Sequence, residues 1–227
     1  MSKANVVQVV GEKIVPVAGP IVLSPVGQPA TEATVIGLDF ALRKMDRMHK
    51  DAIAIRNKKH PLDASMQAYL LGADGQAIGP SGFLYWNQAH YAGGVVQLVP
   101  VGPLTRFHST FKLRLGAIPE EVERIVLVSS VHDNEHHHIG VFGAMSLYLC
   151  KPTLEPIGIQ LYREFPRKHG SVVLGTVERA DGNWQFVSGG ETVEGGLKEL
   201  CARYGIRVVE PEEEGKEDGQ AATPAAV

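Results

Sequence analysis

The sequence predicts an all-β fold, a two-layer, mostly antiparallel β-sandwich with one C-terminal amphipathic helix and one short helical turn. Three observations predict it. Short runs of β-branched and aromatic residues recur along the chain, punctuated by 25 glycines and 14 prolines, the texture of a sandwich. Within several of these runs apolar and polar residues alternate with the period of two that a strand requires. Alternating strand–helix units, which a nucleotide-binding α/β fold needs, are missing. At 227 residues one buried core is feasible. The reading divides the chain into a domain over residues 1–209 and an acidic tail over residues 210–227.

The strongest unit is Arg124–Cys150. Ile125–Val131 is too continuously apolar for a half-exposed strand, so it is expected at the centre of a sheet with both faces covered. In Ala144–Cys150, Met145, Leu147 and Leu149 share one face and Ser146 and Tyr148 the other. Before this pair, Val6–Val10, Ile14–Val17 and Ile21–Leu23 read as short edge strands, since proline between them cannot donate to a ladder. Thr34–Leu42 is a better strand, and basic Lys44–Lys59 reads as a mostly exposed loop. Leu62–Leu71 runs into Asp74-Gly75, a turn that tolerates positive φ, and its partner resumes near Gly82–Asn87. Val95–Val101 and Thr110–Leu115 are further strands. Pro119–Glu123, with proline first and glutamates next, has the composition of a first helical turn.

Beyond Cys150, Pro156–Arg163 alternates, and Val172–Arg179 and Trp184–Val187 form a hairpin over Ala180–Asn183. Then the period changes. Leu197, Leu200, Cys201 and Tyr204 recur at i, i+3, i+4 and i+7, one face of a helix, with Gly205 at the left-handed cap position. Ile206–Val209 reads as a last strand. In the tail, six carboxylates from Glu210 to Asp218 face Lys216 alone, a composition that cannot offset ordering entropy.

Net charge is −3, and that excess sits in the tail, so no global field recruits nucleic acid. Cys150 and Cys201 each lie in an apolar periodic segment, as buried reduced thiols do. The first residues lack a signal-peptide core, and Ile14–Val26 carries three prolines, too many for a membrane helix. The expectation is a cytoplasmic protein with no transmembrane segment.

A series of motifs in register makes the chain resemble the TerD family of tellurium-resistance and general stress proteins over about residues 20–209. They begin with Leu62-Asp63-Ala64-Ser65, followed by Tyr69-Leu70-Leu71, Asp74-Gly75 and Phe83-Leu84-Tyr85-Trp86-Asn87. Ile118-Pro119 through Val131-His132-Asp133 comes next, then Val141-Phe142-Gly143 and Gly175-Thr176-Val177. Gly182-Asn183-Trp184-Gln185-Phe186 and Gly195-Gly196-Leu197 through Tyr204-Gly205-Ile206 close the series. The resemblance implies a β-sandwich that binds calcium through clustered aspartates, is not an enzyme and serves stress resistance. The expected partners are other proteins, TerD-type relatives or a second copy.

Here the implied calcium ligands have changed. Those positions hold Ala41, Pro61-Leu62-Asp63, Pro80-Ser81-Gly82-Phe83 and Pro100–His108, so of the carboxylates only Asp63 remains, and the last segment brings in Arg106. Calcium takes six to eight oxygens. One carboxylate leaves too little charge to offset dehydration of the cation, and the family calcium site is expected to be lost.

The densest set of other ligands is His132, Asp133, His136, His137 and His138. His136 and His138 project alike from extended backbone, and a turn at Asp133-Asn134 would bring His132 toward them. Two or three imidazoles with a carboxylate suit zinc, nickel or copper, which makes a transition-metal protein, even a metal-dependent hydrolase, the rival reading. Against it stands a solvated loop, in which His132-Asp133 serves a turn. The helical HExxH pattern is absent. The cluster also has the composition of a pH sensor.

Gly93-Gly94, Gly189-Gly190 and Gly195-Gly196 lack the order of a phosphate loop, and Gly195-Gly196 is better explained by close helix packing than by an anion at the helix start. Phe83, Tyr85, Trp86 and Tyr91 would make an aromatic face only if Tyr85 and Trp86, which alternate, shared a side. No Ser-His-Asp or Cys-His pairing has local support.

Overall fold

Hydrophobic alternation is realised as two stacked antiparallel sheets. The computed structural model describes residues 4–10, 13–16, 19–26, 33–42, 64–99, 107–131 and 138–208. The first strands are β1 (Ala4–Val10), β2 (Lys13–Pro16), β3 (Ile21–Pro25), β4 (Thr34–Leu42) and β5 (Ala64–Leu71). Then come β6 (Phe83–Leu84), β7 (His90–Tyr91), β8 (Val96–Val99), β9 (Ser109–Leu113) and β10 (Arg124–Val131). β11 (Phe142–Cys150), β12 (Pro156–Arg163), β13 (Ser171–Ala180), β14 (Asn183–Ser188) and β15 (Thr192–Val193) precede the helix α1 (Gly196–Arg203). One sheet runs β2-β1-β12-β11-β4-β9-β8-β7 and the other β3-β14-β13-β10-β5-β6, with β15 on β13.

The core lies between the sheets. Met66, Leu70, Ile125 and Leu127 from one layer meet Ile36, Leu38, Phe111, Met145, Leu147 and Leu149 from the other. β10 is buried from Ile125 to Val131 for the reason its composition announced. One face looks into the sandwich; on the other, Val126 and Val128 pack with Tyr69, Leu200 and Cys201 beneath α1. β11 shows the expected alternation, with Met145, Leu147 and Leu149 buried and Ser146 and Tyr148 half-buried. The β13–β14 hairpin turns through Asp181 (φ 50°) and Gly182 (φ 73°), the two positive φ values of a type I′ turn. Cys150 and Cys201 are free and buried.

Two expected elements differ. Pro119–Glu123 is a turn, closed by the Val122 N–H donating to Pro119 C=O at 3.1 Å. Arg179 takes the carbonyls that a helix would use, its guanidinium donating to Ile118, Pro119 and Val122 at 2.9–3.0 Å. The short helical turn falls just earlier, as a 3₁₀ turn at Leu115–Ala117. After α1 the described residues 206–208 form no strand. The Ile206 N–H donates to Cys201 C=O at 2.8 Å, with Gly205 at φ 74°: a Schellman closure. The Tyr204 carbonyl meanwhile accepts the Ala77 N–H. The Lys44–Lys59 loop and the 210–227 tail lie outside the described residues.

Candidate functional site

Antiparallel pairing sends several segments to one end of the sandwich. β4 ends where β11 begins, in register Leu42↔Phe142, and β10 ends where β5 begins, in register Val131↔Ala64. At the same end β8 finishes and β9 starts, in register Val99↔Thr110. The strand ends that flank Asp63, residues 100–106 and residues 132–137 therefore all lie at this end, along one rim. The implied calcium segment of residues 80–83 lies elsewhere, beside Leu70 toward the other end of β5.

Among the described residues this rim encloses a pocket of about 180 Å³, lined by Ser65, Trp86, Ala89, Leu98, Val99, His108 and Ser109. That described lining contains no carboxylate. Behind it, the Leu38↔Ser109 pairing places Asp39 next to His108. An Asp39 carboxylate oxygen meets His108 Nδ1 and accepts the Phe40 N–H at 3.1 Å. The imidazole stacks on Phe40, ring centres 4.0 Å apart. Asp39 is thus committed to a histidine and a backbone amide. Phe107, just before His108, lies over Gly37, where any Cβ would come within 2.2 Å of its ring. Ser109 Oγ accepts the Met66 N–H at 3.3 Å and so ties the two sheets together. Ser65 Oγ accepts from Gln67 Nε2 at 2.9 Å.

Trp86 stands on the pocket rim, 66% exposed. It meets Tyr85 edge-on at 6.2 Å. Tyr85 stacks on Phe83, Phe83 on Tyr69, and Tyr69 tilts against Tyr204 at 4.7 Å. This aromatic row runs from the loop end to α1. Strand alternation predicts Tyr85 and Trp86 on opposite sides, but β6 ends at Leu84 and the two rings meet; the row itself needs tertiary pairing of β5 with β6.

Of the sequence-derived ligands, Asp63, His132, Asp133 and His136 lie outside the described residues. His138 is described. It is half-buried at the start of a 3₁₀ turn, Ile139–Val141, with its ring against Gly140, where a Cβ would fall 2.8 Å from His138 Nδ1. The Ile139 N–H donates to His169 C=O. Among the described residues no group of three or more His, Cys, Asp or Glu side chains is close enough to hold a metal ion. The start of α1 is filled from within, because Glu199 Oε2 accepts the Gly195 N–H at 3.0 Å. No helix among the described residues is long and apolar enough to cross a membrane.

Fold and rim together define a class: an antiparallel β-sandwich whose long connections gather at one end. Residues 22–204 match the TerD domain, and the chain belongs to the TerD family. It is 27% identical over 185 residues to the tellurium resistance protein TerD of Serratia marcescens, covering 78% of this chain and 90% of that one. To general stress protein 16U of Bacillus subtilis it is 25% identical over 189 residues, with 79% and 91% covered. The solved structure of a homologue of telluride resistance protein (TerD) from Streptomyces coelicolor shares the fold, with TM-score 0.52, 13% identity, and 75% and 95% of the two chains covered.

Proposed function

We propose that this chain is a non-enzymatic binding or assembly module of a tellurium- or stress-resistance system, acting in the cytoplasm with a degenerate calcium site. One observation carries the reading. The end of the sandwich where the family resemblance places calcium is lined, among the described residues, by indole, aliphatic side chains, hydroxyls and an imidazole whose carboxylate neighbour is already engaged. A hard cation needs several converging oxygens with net negative charge, and this donor set does not fit it. An apolar, aromatic-rimmed surface with a few polar groups is instead the chemistry of protein contact. Membership of a family with stress-protein relatives supports the setting.

The convergence of the His138 segment on the same rim favours one second reading, a transition-metal site that has taken over the position. Metal analysis of protein purified without an affinity tag, followed by an ester and phosphoester panel, separates the two. The first reading expects metal-free, inert protein. Retained zinc, nickel or copper with turnover, both lost in His136→Ala/His138→Ala, would replace it with the second.

A further inference from the structure

The strand β12 is not the edge of its sheet. β1 covers it antiparallel, in register from Ala4↔Tyr162 to Gln8↔Gly158, and β2 covers β1. Both strands precede residue 22, where the TerD match begins. Among the described ladders, β2 pairs with β1 alone and β1 with β12 and β2 alone. Among the described ladders the hairpin therefore joins the domain by one, and the chain continues from it to β3 in the other sheet. That crossing carries Gly19 at φ 130° and Pro20. A glycine at positive φ followed by proline is the kind of short hinge at which an element can leave one domain for an identical one.

The surface under the hairpin is suited to exchange. Removing β1 would expose the outward-facing backbone donors and acceptors of β12 between Gly158 and Tyr162, a ready template for another strand. Its Ile157, Ile159 and Leu161 are already half-buried on one face.

We propose that β1–β2 is an exchangeable hairpin with β12 its acceptor, and that two copies of this chain associate by reciprocal exchange. Each copy's β1 lies in the antiparallel register that the other's β12 already specifies, and because the exchange is reciprocal both acceptor strands are filled and the assembly closes at two. The inference does not depend on the state of the calcium loops.

The test uses full-length chains. Asn5 and Leu161 are paired across the ladder, so cysteines there are placed for a disulfide. An Asn5→Cys chain and a ¹⁵N-labelled Leu161→Cys chain are mixed at high concentration and oxidised. A second mixture pairs Asn5→Cys with His90→Cys, on the far edge of the sheet. The proposal expects a mixed-isotope covalent dimer at least tenfold above that control. A double variant, Asn5→Cys/Leu161→Cys, should close within one chain when dilute. Closure within the double variant but no mixed dimer would show that the hairpin stays at home, and would overturn the proposal. Failure of the double variant to close would overturn it too, by removing the ladder.

Discussion

The guanidinium of Arg179 donates to three carbonyls of the 118–122 turn and lies 4.5 Å over the ring of fully buried Trp184. Hydrogen bonds from a charged donor are worth about 1.5–3 kcal/mol each, and losing them leaves acceptors stranded. Arg179→Met should therefore lower stability by about 2–4 kcal/mol, read as a lower urea midpoint at unchanged m-value. An unchanged midpoint would contradict the role. Burial also acts on ionisable groups. Tyr69 and Tyr162 are held above the phenol value of 10.0 chiefly by burial, and Cys201, 3.4 Å from the Tyr69 hydroxyl, is raised above 9.0 for the same reason. Folded pKa values above unfolded ones mean that this contribution is complete below about pH 9 and falls as pH rises through 9 to 10 and beyond. Absorbance at 295 nm from these tyrosines should appear together with loss of near-UV circular dichroism; full tyrosine ionisation before unfolding would refute it. None of this was visible in the sequence, because the partners of Arg179 lie 57–61 positions away.

At the scale of elements, legibility followed burial. The apolar run of β10 announced two covered faces, and α1 supplies the second cover. The period of two in β11 and of 3.6 in α1 also appeared where expected, because each has one buried face. Pro119–Glu123 went the other way. Its local preference for a helix was overridden by a distant arginine. Ile206–Val209 looked like a strand because it is apolar, yet Ile206 is spent on closing α1. That closure is testable at Gly205, whose φ is 74° and where a Cβ would sit 2.7 Å from the flexible end of Gln76. The amide end can move, so backbone strain dominates, and Gly205→Ala should cost about 1–2 kcal/mol. A thermal midpoint equal to the parent's would show that the closure is unimportant.

At the scale of the molecule, pairing register decides where the chemistry gathers. In sequence, Asp63 and the His132–His138 run are separate candidates, since periodicity says nothing about which strand ends coincide. The registers place the strand ends that flank both stretches, and those that flank residues 100–106, at one rim. Trp86 reports on that rim directly. It is 66% exposed while Trp184 is fully buried, and these are the chain's two tryptophans. Acrylamide should quench the Trp86 component, and Trp86→Phe should leave a blue-shifted, poorly quenched emission; equal quenching of both would contradict the exposed indole. The central claim is that this rim has exchanged a cation's ligands for a contact surface. Equilibrium dialysis of the full-length protein against micromolar free calcium tests it most directly. The account predicts no bound calcium above the buffer control, whereas one ion per chain, lost in Asp63→Asn, would contradict it.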